Sequence, residues 1–276
     1  MKKNVLKAVL LLSSIYGLSS CSSHDEKNLI KASRENDFRS IKYAIANNAN
    51  TDTIDEKRES PLSLAAAKGN CKIVKLLLQN NANIDHQNLY RETPLALACF
   101  NGHYNCVKLL IDNKADVNNT NIDGVTPIMY ASRRGYKKIT QLLANKNANI
   151  NQISNEGLSA LAYSILSDNY ESTEILIKHG ADVNFLMEDK ETLLMLAVIR
   201  GNIGITKLLV QHGAKINAQS ANGNTALMSA CRNQQVDIAA YLIEQGAVLS
   251  KKDENDLTAK DISQRTNNKP LIALFE

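Results

Sequence analysis

The chain has 276 residues, of which 44% are apolar, 22% charged and only 5% aromatic, and it contains no Trp. The apolar fraction is ample for one or two globular cores, whereas the scarcity of aromatic side chains disfavours an all-β sandwich. Three of the positive charges behind the formal net charge of +4 come from Lys2, Lys3 and Lys7, so the rest of the chain is nearly neutral. Nucleic acid is therefore excluded as a partner, because binding phosphates requires clustered cations.

Residues 1–20 have the pattern of a signal peptide. Lys2 and Lys3 form a positive start, and an apolar stretch runs from Ala8 to Leu18. This stretch is well short of the ~20 residues that span a bilayer. The alternative is an internal hydrophobic helix at the N-terminus, which has neither helix caps nor a partner pattern to support it. The sequence therefore predicts that residues 1–20 are removed.

The residues Leu18-Ser19-Ser20-Cys21 resemble the lipobox of bacterial lipoproteins. The resemblance implies cleavage before Cys21, acylation of its thiol and a lipid anchor, and several acyl chains make such an anchor stable. Ser22, rather than Asp, implies sorting to the outer membrane of a Gram-negative envelope. Residues 21–27 are then a short lipidated tether, and the expected location is the periplasmic face of the envelope.

A period of 33 residues organises the rest of the chain. Seven helix-start residues recur at this spacing: Ser60, Thr93, Thr126, Ser159, Thr192, Thr225 and Thr258. A small residue follows each of them five positions later: Ala65, Ala98, Ala131, Ser164, Ala197, Ala230 and Ser263. The same position extends backwards to Ala32, so an eighth, degenerate unit begins near Asn28.

Each unit is predicted to contain two short helices followed by an extended tip. In one unit Thr93 is the N-cap and Pro94 takes the first helical position, where its missing N–H costs nothing. The small residue lets helices of neighbouring units pack closely. Ten glycines fall at three repeat positions that favour positive φ: Gly69, Gly102, Gly135 and Gly201 between the helices, Gly180, Gly213 and Gly246 after the second helix, and Gly124, Gly157 and Gly223 at the tip.

These units resemble the ankyrin repeat, on the strength of Thr-Pro-Leu-x-x-Ala at 93–98, the inter-helix glycine, the Leu-Leu pair at 109–110 and Gly-Ala-Asp-Val-Asn at 180–184. The resemblance covers residues 28–276. It implies an all-α solenoid of about seven to eight stacked helix–loop–helix units, including degenerate caps, with β-hairpin-like tips and a concave face. Asn36, Asp168 and Gln234 replace the inter-helix glycine. Asp tolerates a left-handed backbone comparatively well, so the turn at Asp168 is expected to form. The repeats in the middle of the stack are nevertheless expected to be less stable.

No catalytic or cofactor motif is present in the sequence. His179 and His212 lie one period apart, so their helices are expected ~8–10 Å from each other. That separation is too large for the two to share a zinc ion, whose bonds are ~2 Å long. We therefore expect a non-enzymatic protein with no cofactor and no metal site.

Four cysteines remain besides Cys21. Cys99 and Cys231 occupy the same repeat position four units apart, so they cannot bond to each other. Cys71 and Cys106 fall at apolar positions of the second helix, where Cys acts as a small hydrophobe. A disulfide from Cys71 to Cys99 or to Cys106 is conceivable in an oxidising compartment. The restrictive geometry of disulfides nevertheless favours buried free thiols.

The resemblance also implies that hairpin tips and the ends of the first helices form a concave binding face. The residues at these positions vary from unit to unit while the framework repeats. The candidate partner-binding residues are Tyr90, Phe100, Arg133, Arg134, Leu166, Arg200 and Arg232. Several are of the aromatic and Arg types that anchor interfaces. The alternative is an ordinary surface with scattered apolar residues.

Together these patterns predict a monomeric, non-enzymatic protein-binding module that is anchored in the envelope by lipid. One version is an immunity-type inhibitor of a toxin delivered to the periplasm, as the resemblance to some bacterial ankyrin-like lipoproteins implies. A second is a scaffold or stress-protection factor for an envelope enzyme. A third is an effector acting on a eukaryotic host, which the lipobox disfavours.

Overall fold

The computed structural model describes residues 24–276, which form helix pairs joined by turns and extended tips. The first described helix, α1, covers residues 24–35. The others are α2 (Phe38–Ala46), α3 (Pro61–Ala67), α4 (Cys71–Gln79), α5 (Pro94–Phe100), α6 (Tyr104–Asp112), α7 (Pro127–Arg133), α8 (Lys137–Asn145), α9 (Ala160–Leu166), α10 (Tyr170–Lys178), α11 (Leu193–Ile199), α12 (Ile203–Gln211), α13 (Ala226–Arg232), α14 (Val236–Glu244), α15 (Ala259–Arg265) and α16 (Lys269–Ile272). Short 3₁₀ turns occupy Glu188–Lys190 and Ala273–Phe275.

The chain divides into two compact units, which meet in sequence at Ile122 and Asp123. In the first unit α3 packs on α5, while α4 contacts both α2 and α6. In the second unit α7, α9, α11, α13 and α15 pack in series, and α8, α10, α12, α14 and α16 form a parallel series. First helices thus pack on first helices and second on second, as the period predicts.

The seven helix-start residues all take the N-cap position with an extended backbone. Six of them accept a hydrogen bond from the backbone N–H three residues later, for example Ser60 from Ser63 and Thr225 from Met228. Thr126 is the exception, because its buried hydroxyl has no hydrogen-bond partner. The seven small residues that follow five positions later are all completely buried, which explains why this position excludes larger side chains.

The turns also follow the sequence prediction, since all ten glycines of the three repeat positions have positive φ. Asp168 and Gln234 adopt φ of 55° and 56° at the inter-helix turn. The prediction that the turn survives replacement of glycine by Asp168 is therefore confirmed. Antiparallel bridges at two tips, Ile153 to Ser159 and Leu186 to Thr192, match the expected hairpin character.

Side-chain amides link consecutive repeats in the second unit. Oδ1 of Asn151, Asn184 and Asn217 accepts the backbone N–H of Asp182, Lys215 and Val248, 2.7–2.9 Å away. Their Nδ2 atoms donate to the carbonyls of Gly180, Gly213 and Gly246. Each amide therefore satisfies one donor and one acceptor of the next repeat, which fixes the spacing between neighbouring tips.

The interpretation of Cys71 and Cys106 as free thiols is wrong. The two residues form a disulfide that joins α4 to α6, with their Cα atoms 5.1 Å apart. The packing of α4 against α6 brings these side chains together across one repeat, which their apolar spacing alone did not reveal. Cys99 and Cys231 are buried free thiols, and burial raises the pKa of Cys99 and raises that of Cys231 to about 12.

The N-terminal boundary differs from the predicted one. Residues 24–27, assigned above to the tether, belong to α1. Asp25 is buried, as are Leu29 and Ile30 one turn later. Packing of this helix therefore extends the folded part N-terminally, from residue 28 to residue 24. The predicted signal peptide 1–20, Cys21 and the start of the tether lie outside the described residues.

Candidate protein-binding surface

Several hairpin tips are shaped by a polar side chain that lies just before them. Oδ1 of Asp55 accepts the backbone N–H groups of Lys57 and Glu59, both at 2.8 Å. The same position in later repeats is filled by Asn88, Ser154, Ser220 and Asp253, which accept equivalent hydrogen bonds. Sequence reasoning missed these residues, although their 33-residue spacing was a signal that could have found them.

Backbone hydrogen bonds join consecutive tips within each unit. In the first unit Leu89 N–H donates to the carbonyl of Lys57 at 3.1 Å, and Ile122 N–H donates to that of Tyr90 at 2.9 Å. In the second unit Asn155 N–H donates to the carbonyl of Asp123 at 2.9 Å. The tips of the first unit therefore form a connected edge, so their backbones hold defined positions relative to one another.

The edge of the first unit carries exposed apolar side chains. Leu89, Tyr90 and Ile122 leave 53%, 58% and 56% of their side chains exposed. Phe100, the last residue of α5, is 36% exposed. An exposed aromatic and two aliphatic side chains on one connected edge form a contiguous apolar strip, which marks an interaction site more strongly than scattered residues do.

In the second unit, Arg133 lies at the end of α7 and its guanidinium carbon is 5.8 Å from the centre of the Tyr163 ring. The Tyr163 hydroxyl donates to Glu156 at 2.9 Å. Burial, together with Glu156, raises the pKa of Tyr163. Arg134 is the exposed C-cap of α7, whereas Leu166 at the end of α9 is half-buried.

Arg200 and Arg232 are engaged within the protein itself. Arg200 lies 3.3 Å from the carboxylate of Asp168, the residue at the inter-helix turn of the preceding repeat. Arg232 contacts Asp253 at 2.5 Å and also donates to Asn224. Arg34 pairs with Asp55 in the same way at the other end of the chain. Arg200 thus joins neighbouring repeats, whereas Arg232 and Arg34 each join a helix to the tip of the same repeat. The sequence analysis did not predict this role.

The Arg232 contact bears on the charge of Asp253, whose side chain is almost completely buried. Burial by itself would raise the pKa of this carboxyl, but the N–H groups of Leu257 and Asn255 and the Arg232 guanidinium together hold the pKa below its usual value. Asp253 is therefore an anion that caps its hairpin and anchors Arg232.

Residues 24–276 contain no group of three or more His, Cys, Asp or Glu side chains placed to bind a metal ion. His179 instead contacts Asn145 and the carbonyl of Ile175 at 3.0 and 2.8 Å. Within the same described range, none of the helices combines the length and apolar character needed to cross a membrane.

Repeated helix pairs with a connected edge of variable side chains define the class of helical-repeat interaction modules. The family described as Ankyrin repeats (3 copies) matches residues 29–121, 117–187 and 182–253. This chain belongs to the ankyrin-repeat family, and its fold is that of a protein–protein interaction module. None of the curated proteins matches the chain.

Solved structures with this fold include the ankyrin repeat domain of Bcl-3, described as a unique member of the IkappaB protein family. It is 26% identical with a TM-score of 0.72, and the match covers 80% of this chain and 99% of that domain. The human ASB11 ankyrin repeat domain is 25% identical with a TM-score of 0.70, and the match covers 78% and 98% of the two chains. Both structures show the ankyrin-repeat solenoid fold that this chain shares.

Proposed function

We propose that this protein is a non-enzymatic binding module, lipid-anchored in a bacterial envelope, that holds a protein partner on its tips and first-helix ends. The observation that carries the proposal is the connected apolar edge of the first unit, where Leu89, Tyr90 and Ile122 are more than half exposed. A preorganised edge loses little conformational entropy on binding, which favours a specific partner.

The proposed envelope location rests on Cys21 and the segment before it, and the disulfide is consistent with it. A bond between Cys71 and Cys106 forms and persists in oxidising compartments such as the periplasm, whereas cytosolic thiols are kept reduced. We propose that Cys21 carries the lipid and that the folded units face the periplasm, on the outer membrane.

The five candidate residues of the second unit have two different expected roles. Arg133, Arg134 and Leu166 are proposed to contact the partner directly. Arg200 and Arg232 already bind Asp168 and Asp253, so they are proposed to support the surface. We propose that the partner is a toxin that the module neutralises. The alternative partner is an envelope enzyme that the module scaffolds. A neighbouring gene that encodes a secreted toxin would favour the toxin.

Truncating the edge tests the binding surface. We expect Tyr90→Ala with Phe100→Ala to weaken partner capture at least tenfold, in cross-linked pull-downs from the membrane fraction, because aromatic anchors dominate interface energies. The Tm should change little, since both side chains are substantially exposed. The matched control is Phe38→Ala with Tyr43→Ala, a Phe and a Tyr that are 40% and 69% exposed on α2.

Equal capture by both double variants would contradict the assignment of the surface. A large fall in Tm for the Tyr90 and Phe100 variant would show instead that these residues belong to the core.

The anchor has its own test. Cys21→Ser is expected to abolish metabolic labelling with palmitate and to release the protein from membranes, because the acylated thiol is lost. Cys231→Ser, which changes a buried free thiol, should leave labelling unchanged. Persistent membrane attachment of the Cys21→Ser protein would disprove lipid anchoring at this residue.

A further inference from the structure

The tips of the first unit carry two arginines in a left-handed backbone conformation, which glycine takes at three other tips and Lys190 and Asp256 take at two. Arg58 and Arg91, one period apart, both have φ of 58°. The equivalent residues Gly124, Gly157 and Gly223 have φ of 72° to 73°. A left-handed backbone is unfavourable for any residue with a Cβ atom, so the first unit accepts strain at two consecutive tips.

Strained backbone persists only where the surrounding structure fixes it, and it is enriched at functional sites. Arg58 and Arg91 are exposed, and neither guanidinium forms an ion pair within the described part of the chain. A hydrogen bond from the next repeat fixes the Arg58 tip, since His86 Nε2 lies 2.7 Å from the Arg58 carbonyl oxygen. Both cations are therefore exposed on tips whose backbone is fixed by hydrogen bonds.

The surroundings of these arginines combine positive charge with apolar side chains. Exposed Lys57 stands beside Arg58, and Leu89 and Tyr90 directly precede Arg91. The Leu89 N–H to Lys57 carbonyl bond keeps the two tips side by side. The nearby carboxylates of Glu59 and Glu92 both accept hydrogen bonds from the Asn88 amide, at 2.9 and 3.2 Å, which directs them toward the base of the tips.

We propose that Arg58 and Arg91, together with Leu89 and Tyr90, bind an acidic segment of the protein partner that carries an apolar anchor residue. Guanidinium groups pair with carboxylates through two parallel hydrogen bonds, and two arginines one repeat apart match carboxylates spaced along an extended peptide. The inference rests on the proposed binding function and names the chemistry of the ligand at that edge.

A protein segment fits this edge better than an anionic membrane does. Recognition of acidic lipid surfaces relies on clusters of four to eight cations. Here three cations, Lys57, Arg58 and Arg91, share the tips with exposed Glu56 and half-buried Glu92. Mixed charge with an apolar strip is the pattern of a protein interface rim.

The test uses the full chain and a twelve-residue peptide of Asp and Glu around a central Leu-Phe pair. We expect wild-type protein to bind this peptide at least tenfold more tightly than a twin in which every acid is Lys, and to lose affinity with added salt. Arg58→Gly with Arg91→Gly should weaken binding of the acidic peptide at least tenfold while raising the Tm by a few degrees, because the backbone strain is relieved.

The matched control is Lys190→Gly, which removes a cation at the same repeat position, with φ of 57°, in the second unit. It should also raise the Tm but leave peptide binding unchanged. Unchanged peptide affinity in the Arg58 and Arg91 variant would overturn the proposal. So would binding of the wild type to phosphatidylglycerol vesicles but not to the peptide.

Failure of this inference is distinguishable from failure of the proposed function. If the Arg58 and Arg91 variant still captures the partner that the Tyr90 and Phe100 variant loses, the acidic-segment assignment fails and the binding module stands. If cross-linking finds no partner but the arginine-dependent peptide binding is measured, recognition of an acidic segment stands and the envelope role fails.

Discussion

Replacing Cys71 and Cys106 with alanine is expected to lower the free energy of unfolding by about 3–4 kcal/mol. The disulfide closes a loop between residues that are 35 positions apart, so removing it restores conformational freedom to the unfolded chain. It also links α4 to α6 covalently in the first unit. These helices belong to adjacent repeats, which are otherwise held together by packing alone. Urea denaturation, with hydrogen exchange of the amides of α4 and α6, measures the effect.

A reducing agent should shift the wild-type protein to the stability of the double variant and leave that variant unchanged. The matched control is Cys99→Ala, which removes a buried free thiol from the first unit without breaking a covalent link. If alkylating reagents label both Cys71 and Cys106 in native protein that has never been reduced, the disulfide does not form and the stability prediction fails with it.

The second large effect is expected from Leu143→Ala, which should destabilise the protein by about 3–5 kcal/mol. Leu143 in α8 is completely buried, so truncation leaves a cavity between helices that cannot collapse fully. Because each repeat is stabilised by its neighbours, the loss extends beyond α8 to the helices that pack on it, such as α10.

The adjacent residue provides the matched control. Leu142 has the same side chain in the same helix but is only partly buried, so Leu142→Ala is expected to cost about 1–2 kcal/mol. Both values come from the midpoint and slope of urea denaturation at constant pH. Equal losses for the two variants would show that α8 is rotated relative to the packing described here.

These two predictions differ in how far the sequence alone supports them. Both leucines belong to the recurring Leu-Leu pair, which the repeat pattern identifies as apolar without saying which member faces the core. The packing of neighbouring helices makes that choice: the second leucine is fully buried in α4, α6 and α8, as Leu77, Leu110 and Leu143. The sequence is a poorer guide for the cysteine pair. Its pattern favoured free thiols, whereas the structure joins Cys71 and Cys106 in a disulfide.

The candidate surface was predictable in its positions but not in its contacts. Variation at Tyr90 and Arg232 against a repeating framework identified the tips and helix ends. The pairing of Arg232 with Asp253, and that of Arg200 with Asp168, required knowing which side chains distant in sequence lie together. The strain at Arg58 and Arg91 likewise becomes visible only once their backbone angles are known.

The sequence by itself determined the repeat length, the helix starts, the glycine turns and the small buried residue of each unit. These features depend on local backbone preferences and on a single type of interface between neighbouring repeats. Because that interface recurs every 33 residues, the sequence period is enough to predict them. The tertiary structure decided the Cys71–Cys106 bond, the Arg–Asp pairs, the buried member of each Leu pair and the position where α1 begins. These depend on contacts between side chains of different helices and repeats, whose distances follow from helix packing and cannot be obtained from residue spacing alone.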